Sequence, residues 1–150
     1  MKSPQPIFVD TWGWLAYGHR RDAHHTEVKE LLEACVSNHM PVHTSDYVLD
    51  ELITLLFRRE SYDEAVRFLD GLLADSARGT LQIQRLTTER FQAALELRKR
   101  FRDKPDISFT DLTTMAVMRE LQITAVVTED NHFLQVILGV SIIIAASMLG

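Results

Sequence analysis

Short apolar runs alternate with longer amphipathic segments along this chain, and that alternation restricts the fold more than any other feature. Residues 7–9, 124–127 and 140–144 are continuous apolar or β-branched runs, typical of strands buried on both faces of a parallel sheet. Segments such as 24–37 place apolar side chains at helical spacing instead. We therefore predict one α/β domain over residues 1–150, with a central parallel sheet of about four or five strands and helices on both faces.

Helix-capping residues divide much of the remaining chain. Thr44 or Ser45 can cap a helix that carries Val48 and Leu52 on its apolar face. Ser61, three residues before a glutamate, begins a capping-box sequence for a helix that reaches about residue 74. Further helices are predicted over 12–17, about 88–101 and about 109–121, and further strands over 41–43 and 80–84.

The uncharged segment 133–150 is the one stretch that approaches the length of a membrane span. Gln135, Gly139 and Ser141 interrupt it, and no Lys or Arg follows to anchor it. We therefore predict a buried helix turn and strand there, and no membrane insertion. Cys35 is the single cysteine, and no signal-peptide core is evident near the N-terminus, so a cytoplasmic protein is expected.

Two acids follow predicted strands at the edge where α/β proteins bind ligands. Asp10 comes directly after the first strand, and Asp130 lies three residues past the strand ending at Val127. A carboxylate at a buried strand end is costly unless it is paired or bound to a cation. Each acid could instead simply cap the helix behind it.

Glu51 and Asp111 bring two more acids to the same predicted edge. Glu51 flanks the apolar stripe of its helix, although it could also extend into water. Asp111 lies three residues after Ser108, where an acid also suits a helix cap and the helix dipole. Four convergent carboxylates repel one another unless a cation neutralises them, and an all-oxygen ligand set suits Mg²⁺ or Mn²⁺ rather than zinc. This pattern predicts metal-assisted hydrolysis of a phosphodiester.

The net charge bears on whether nucleic acid is the substrate. The chain has 16 Lys and Arg against 21 Asp and Glu, a formal charge of −5, which disfavours binding through a general positive charge. If cations neutralise four site carboxylates, that charge becomes −1 or higher. We therefore expect RNA binding to depend on divalent metal.

Four segments resemble the successive motifs of PIN-domain ribonucleases, and their size and order are most similar to the VapC-type toxins of bacterial toxin–antitoxin pairs. These segments are Phe8-Val9-Asp10-Thr11, Thr44-Ser45-Asp46-Tyr47-Val48-Leu49-Asp50-Glu51, Ile107-Ser108-Phe109-Thr110-Asp111 and Val127-Thr128-Glu129-Asp130-Asn131-His132-Phe133. The resemblance implies a PIN-like three-layer α/β/α fold and a catalytic, metal-binding quartet of Asp10, Glu51, Asp111 and Asp130, with Thr11 and Thr128 in supporting roles.

The same resemblance implies an Mg²⁺- or Mn²⁺-dependent endoribonuclease that forms a homodimer and is inhibited by a cognate antitoxin protein. Two positions depart from the family pattern. Trp12 stands where a small polar residue is common, and Glu129 adds an acid beside Asp130. Either of these neighbouring acids can be the fourth ligand, and the Thr-x-Asp register favours Asp130.

A basic run precedes the loop that leads to Asp111. It is predicted either to contact RNA phosphates beside the metal site or to form a solvated helix end with cations favourably placed at the C-terminal dipole. Its cations are Arg98, Lys99, Arg100, Arg102 and Lys104. His19, His24 and His25 lack a convincing ligand spacing and are expected on the helix surface or at a partner contact.

Two other function classes remain open. One is a catalytically silent PIN-type module that only binds partners. The other is an Mg²⁺-binding phosphoacceptor signalling domain, which is disfavoured because Asp10 has no acidic neighbour and no lysine follows a late strand.

Overall fold

The computed structural model describes residues 5–129 and 141–142 of the chain. All five strands are parallel and form one sheet, in the spatial order β3-β2-β1-β4-β5. The strands are β1 (Ile7–Val9), β2 (Val42–Ser45), β3 (Leu81–Gln84), β4 (Ala125–Val127) and β5 (Ser141–Ile142). Because the chain builds outward from β1 in both directions, the order reverses between β1 and β4. Ligands of open α/β sheets bind at such a switch point.

Six helices connect and cover the strands, giving the predicted three-layer α/β/α architecture. They are α1 (Thr11–Gly18), α2 (His25–Ser37), α3 (Asp46–Arg59), α4 (Tyr62–Ala77), α5 (Thr88–Arg100) and α6 (Phe109–Leu121). Five of them begin at a residue whose side chain accepts an N–H three positions ahead, which satisfies a helix donor otherwise left without a partner. These caps are Asp10, Ser45, Ser61, Thr87 and Ser108. The predictions for α3, α4, α5 and α6 are confirmed to within about three residues.

The core lies around the two central strands. Every residue of β1 and β4 is buried, as the continuous apolar runs predict. In α6, the seven consecutive residues 112–118 are buried, so this helix is enclosed rather than amphipathic. Packing of α6 against α5 and α3 holds its first turn, which carries Asp111, in place.

The second strand differs from its predicted boundaries. The strand predicted over 41–43 runs from Val42 to Ser45, because Thr44 pairs with the neighbouring strand and also binds within the core. Its hydroxyl donates to the Val9 carbonyl at 3.0 Å and accepts the Trp14 indole N–H at 2.9 Å. Ser45 is therefore the helix cap, and Thr44 connects β2 to the end of β1.

The C-terminal prediction is only partly covered. Of the strand predicted over 140–144, Ser141 and Ile142 pair with β4, while the rest of that strand and the predicted helix turn lie outside the described residues. Within 5–129 and 141–142, no helix is long and apolar enough to cross a membrane.

Gly13 lets α1 approach the sheet closely, and a larger residue there is expected to destabilise the protein. An added Cβ would lie 2.7 Å from the Val9 side chain and 3.1 Å from the Val127 carbonyl. We expect Gly13→Ala to lower the free energy of unfolding by about 1–3 kcal/mol, measured by urea denaturation. Gly71→Ala is the control: its added Cβ meets nothing within 4 Å, so it should raise stability by about 0.5–1 kcal/mol. Equal stability of the two variants would contradict this account.

Candidate active site

Asp10 stands at the switch point between β1 and β4. It directly follows β1, its backbone N–H donates to the Val127 carbonyl at 3.3 Å, and its carboxylate accepts the Gly13 N–H at 3.0 Å. Asp10 therefore caps α1, which is the structural alternative given by the sequence. The cap uses one carboxylate oxygen and leaves capacity for other partners.

The protonation of Asp10 is strongly perturbed. Burial raises the pKa of this carboxyl from 3.8 to about 7, and the nearby charge of Asp111 contributes to the rise. Hydrogen bonds from the Thr128 hydroxyl and from the N–H groups of Gly13 and Trp12 oppose it without cancelling it. Near neutral pH, a positive charge is thus needed to keep Asp10 fully ionised.

Asp111 approaches Asp10 from the start of α6. Its backbone N–H donates to the Ser108 hydroxyl at 3.0 Å, which begins the helix as predicted. Burial raises the pKa of the Asp111 carboxyl, the charge of Glu51 raises it further, and hydrogen bonds from Ser108 lower it. Asp10 and Asp111 are therefore two half-buried carboxylates with raised pKa values, and the charge of Asp111 acts on Asp10.

Glu51 lies on α3, and its charge acts on the Asp111 carboxyl rather than on that of Asp10. It is half-buried, whereas its neighbour Asp50 is exposed, as the helical wheel predicts. Within residues 5–129, no group of three His, Cys, Asp or Glu side chains is compact enough to hold a metal ion. The structure thus brings two acids together and sets Glu51 beside them.

The last motif of the sequence is only partly described. Thr128 is buried and bonds to Asp10, and Glu129 is exposed. Asp130 lies outside the described residues. Thr11 is buried in the first turn of α1.

The basic run divides into different environments. Lys99 pairs with Glu96 at 3.4 Å, and Arg100 lies 5.9 Å from the ring centre of Phe101. Lys104 approaches Asp103 at 3.9 Å, whereas Arg102 is exposed. Arg98 differs from the rest, because its guanidinium bonds to backbone carbonyls of its own chain.

The three histidines bond to separate groups. His19 pairs with Glu60 between α1 and the end of α3. His24 lies 3.3 Å from Glu27 and packs against the indole of Trp12, with the ring centres 5.4 Å apart. His25 contacts the Ala16 carbonyl at 3.0 Å.

Some supporting contacts escaped the sequence reading. Thr44 and Gly13 fix the turn that carries Asp10, and Arg98 binds the loop before Asp111. The one signal in the sequence was Gly13, in the first turn of α1 and four residues after the end of β1. The Thr44 and Arg98 contacts join residues 35 and up to 9 positions apart, with no periodic pattern to indicate them.

Comparison with known proteins is consistent with this geometry. Residues 7–137 match the PIN domain family model. The chain is 35% identical over 127 residues to the 23S rRNA-specific endonuclease VapC20 of two Mycobacterium tuberculosis strains, covering 85% of this chain and 91% of that protein.

Solved structures have the same fold. The crystal structure of Mycobacterium tuberculosis VapC20, a sarcin-ricin-loop-cleaving toxin, aligns with a TM-score of 0.72 at 33% identity, over 87% of this chain and 94% of that one. A DNA-bound VapBC2 from Rickettsia felis aligns at 0.71 and 18% identity, over 93% and 98% of the two chains. A switch-point pair of acids, the matched family model and a relative at 35% identity lead to one conclusion: this chain belongs to the PIN-domain family, among its VapC-type members.

Proposed function

We propose that this protein is a metal-dependent endoribonuclease that acts as the toxin of a toxin–antitoxin pair. The observation that carries the proposal is the placement of Asp10 and Asp111 near the sheet switch point, where burial and the charge of a neighbouring acid raise the pKa of each: Asp111 acts on Asp10, and Glu51 acts on Asp111. Structural carboxylates are normally paired with cations, so two acids facing each other favour a ligand-binding role. The VapC20 relative, an endonuclease specific for 23S rRNA, supports RNA as the substrate.

The donor set fits a hard divalent cation. Mg²⁺ retains several waters and commonly takes only one or two carboxylates, so Asp10 and Asp111 suffice as direct ligands. We propose that Glu51 contributes from α3 through a water molecule, and that Asp130 completes the quartet. With only oxygen donors, the site favours Mg²⁺ or Mn²⁺ over zinc.

The remaining roles belong to groups that orient these acids. The Thr128 hydroxyl and the Gly13 N–H hold the Asp10 carboxylate, Ser108 holds the start of α6, and we propose that Thr11 supports the same turn. When bound, the ion supplies a Lewis acid that activates water and neutralises charge developing on the phosphate. Half-burial of the acids limits competing solvent around the reacting phosphodiester.

A cleavage assay tests the proposal directly. Purified protein should cut structured ribosomal RNA internally when Mg²⁺ or Mn²⁺ is added and should stop when a chelator is present. An active-site variant purified in the same way is the control. If that variant is inert, the cleavage does not come from a contaminating nuclease. Metal-independent cleavage, or none with any RNA tested, would reject it.

A silent binding module is the second candidate, because no three described acids alone enclose an ion. A calorimetric titration separates the two functions. The proposed enzyme binds Mn²⁺ in the absence of RNA, whereas the binding module does not. In either case we propose a cytoplasmic, single-domain protein that binds a cognate antitoxin.

We also propose a homodimer, formed through an apolar surface on α3 and the start of α4. Ile53 and Phe57 lie one helical turn apart and are 42% and 37% exposed. The ring of Tyr62, 72% exposed, packs 5.6 Å from that of Phe57. This surface lies on the side of α3 away from Glu51, so a second copy can cover it without blocking the acids.

Phe57→Asp should weaken the dimer at least about tenfold, because it places a charge in an apolar contact. Light scattering over a concentration series measures the change. Val36→Asp, at an exposed apolar position on a different helix, α2, is the control and should leave the dimer intact. A wild-type protein that is monomeric throughout, or an unaffected Phe57→Asp dimer, would contradict the assignment.

A further inference from the structure

The guanidinium of Arg98 binds three backbone carbonyls in the loop between α5 and α6. One terminal nitrogen donates to the Ile107 carbonyl at 2.6 Å. The other donates to the carbonyls of Phe101 at 2.9 Å and Lys104 at 2.6 Å. The side chain is half-buried, and these bonds use three of the five N–H donors of the guanidinium, including both on one terminal nitrogen.

The same carbonyls organise two consecutive turns. The Lys104 N–H donates to the Phe101 carbonyl at 3.0 Å, and the Ile107 N–H donates to the Lys104 carbonyl at 3.2 Å. Both turns therefore direct their acceptors toward Arg98. The guanidinium reaches the three carbonyls from two nitrogens held apart in one plane, and the single nitrogen of a lysine ammonium cannot reproduce that spread.

The loop ends where the candidate site begins. Ile107 is buried, and the next residue, Ser108, caps α6 by accepting the Asp111 N–H. Since Arg98 holds the Ile107 carbonyl, it sets the position of Ser108 and, through it, the first turn of α6. Two links thus connect the guanidinium to Asp111: the peptide bond between Ile107 and Ser108, and the hydrogen bond by which Ser108 caps α6.

We propose that Arg98 is a positioning residue that fixes Asp111 for metal binding by closing the α5–α6 loop, rather than an RNA-binding cation. This inference rests on the proposed metal site. It separates Arg98 from the other cations of the basic run, of which Arg102 is the most exposed toward solvent in the same loop. RNA contacts, if the run makes them, then belong to those other residues.

Arg98→Lys, on α5, and Arg102→Met, in the loop that follows, test the inference in the intact protein. In metal-free protein, hydrogen exchange of the Asp111 amide should become at least about tenfold faster in Arg98→Lys. In the wild type, local opening of the cap must also break the Arg98 bonds, and without those bonds opening costs less free energy. Its Mn²⁺ dissociation constant should rise by about 10–100-fold, as for other residues that orient metal ligands. Arg102→Met should change neither quantity.

RNA kinetics add an independent readout. Arg98→Lys should lower kcat with little change in KM, whereas loss of a phosphate contact would raise KM and reduce the salt dependence of binding. The inference is overturned if KM alone changes, or if amides throughout the protein exchange faster while Mn²⁺ affinity stays at the wild-type value. If wild-type protein binds no Mn²⁺, the proposed function fails, and faster exchange confined to residues 101–111 still decides the role of Arg98.

Discussion

Asp10→Asn should reduce RNA cleavage by about a thousandfold or more while the protein still folds. The substitution removes a negative charge that the proposed divalent ion requires of its ligand. That charge lies at the end of β1, near Asp111. It preserves the shape of the side chain, and asparagine remains a good N-cap, so the bond from the Gly13 N–H can persist. Asp70→Asn, at an exposed position on α4, is the control and should retain full activity.

The free energy of unfolding of Asp10→Asn shows whether the variant loses activity because a catalytic group is missing or because the protein no longer folds. The pKa of Asp10 is about 7 in the folded protein against 3.8 when unperturbed, so the folded state binds protons more tightly. Wild-type stability therefore falls as the pH rises from about 4 to 7, and the asparagine variant escapes that loss. At pH 8 and without metal, Asp10→Asn should be more stable by on the order of 3 kcal/mol, with the difference vanishing toward pH 4.

Cleavage and thermal unfolding of the two variants measure both effects. An inert, well-folded Asp10→Asn protein supports a catalytic carboxylate. Full activity in this variant would exclude Asp10 from the reaction. An unfolded variant would contradict the stability gain expected from removing the buried charge, because asparagine can still cap α1.

The sequence could predict the elements of this fold because their signals are local. Three apolar residues before Asp10 and a capping serine before Asp111 each determine a nearby boundary, and burial of β1 and α6 follows from the apolar pattern. The proximity of the two acids follows from topology. Parallel strands place their carboxyl ends at one edge of the sheet, and ligand-binding residues at that edge come from strand ends and helix starts, so Asp10 and Asp111 could be expected to lie close together.

The contacts that tune the site could not be predicted in this way. Thr44 reads as a possible helix cap, yet its hydroxyl joins Val9 and Trp14 inside the core. Arg98 reads as a free cation at a helix end, and only the folded loop reveals its three carbonyl partners. In both cases, a polar side chain has a local role and a tertiary role, and burial decides between them.

Mn²⁺ affinity should increase by about fivefold between pH 6 and 7 from the ionisation of Asp10 alone, and become nearly constant above about pH 8. With a pKa of about 7, Asp10 is mostly protonated at pH 6, so an ion must displace that proton before it can bind the carboxylate. The raised pKa of Asp111 steepens the dependence in the same direction. Calorimetry in two buffers of different ionisation enthalpy measures the affinity and the number of protons released together.

Asp10→Asn provides the control for this titration, because it has no proton to displace at that position. Its residual Mn²⁺ affinity should be weak and should change less with pH than that of the wild type, with the remaining slope due to Asp111. If wild-type affinity were the same at pH 6 and pH 8, the ion would bind elsewhere and the switch-point acids would not be its ligands. If the pH dependence of Mn²⁺ affinity is steep in the wild type and is lost in Asp10→Asn, the Asp10 carboxylate binds the ion. The same buried charge then destabilises the metal-free protein and holds the cation in the metal-bound one.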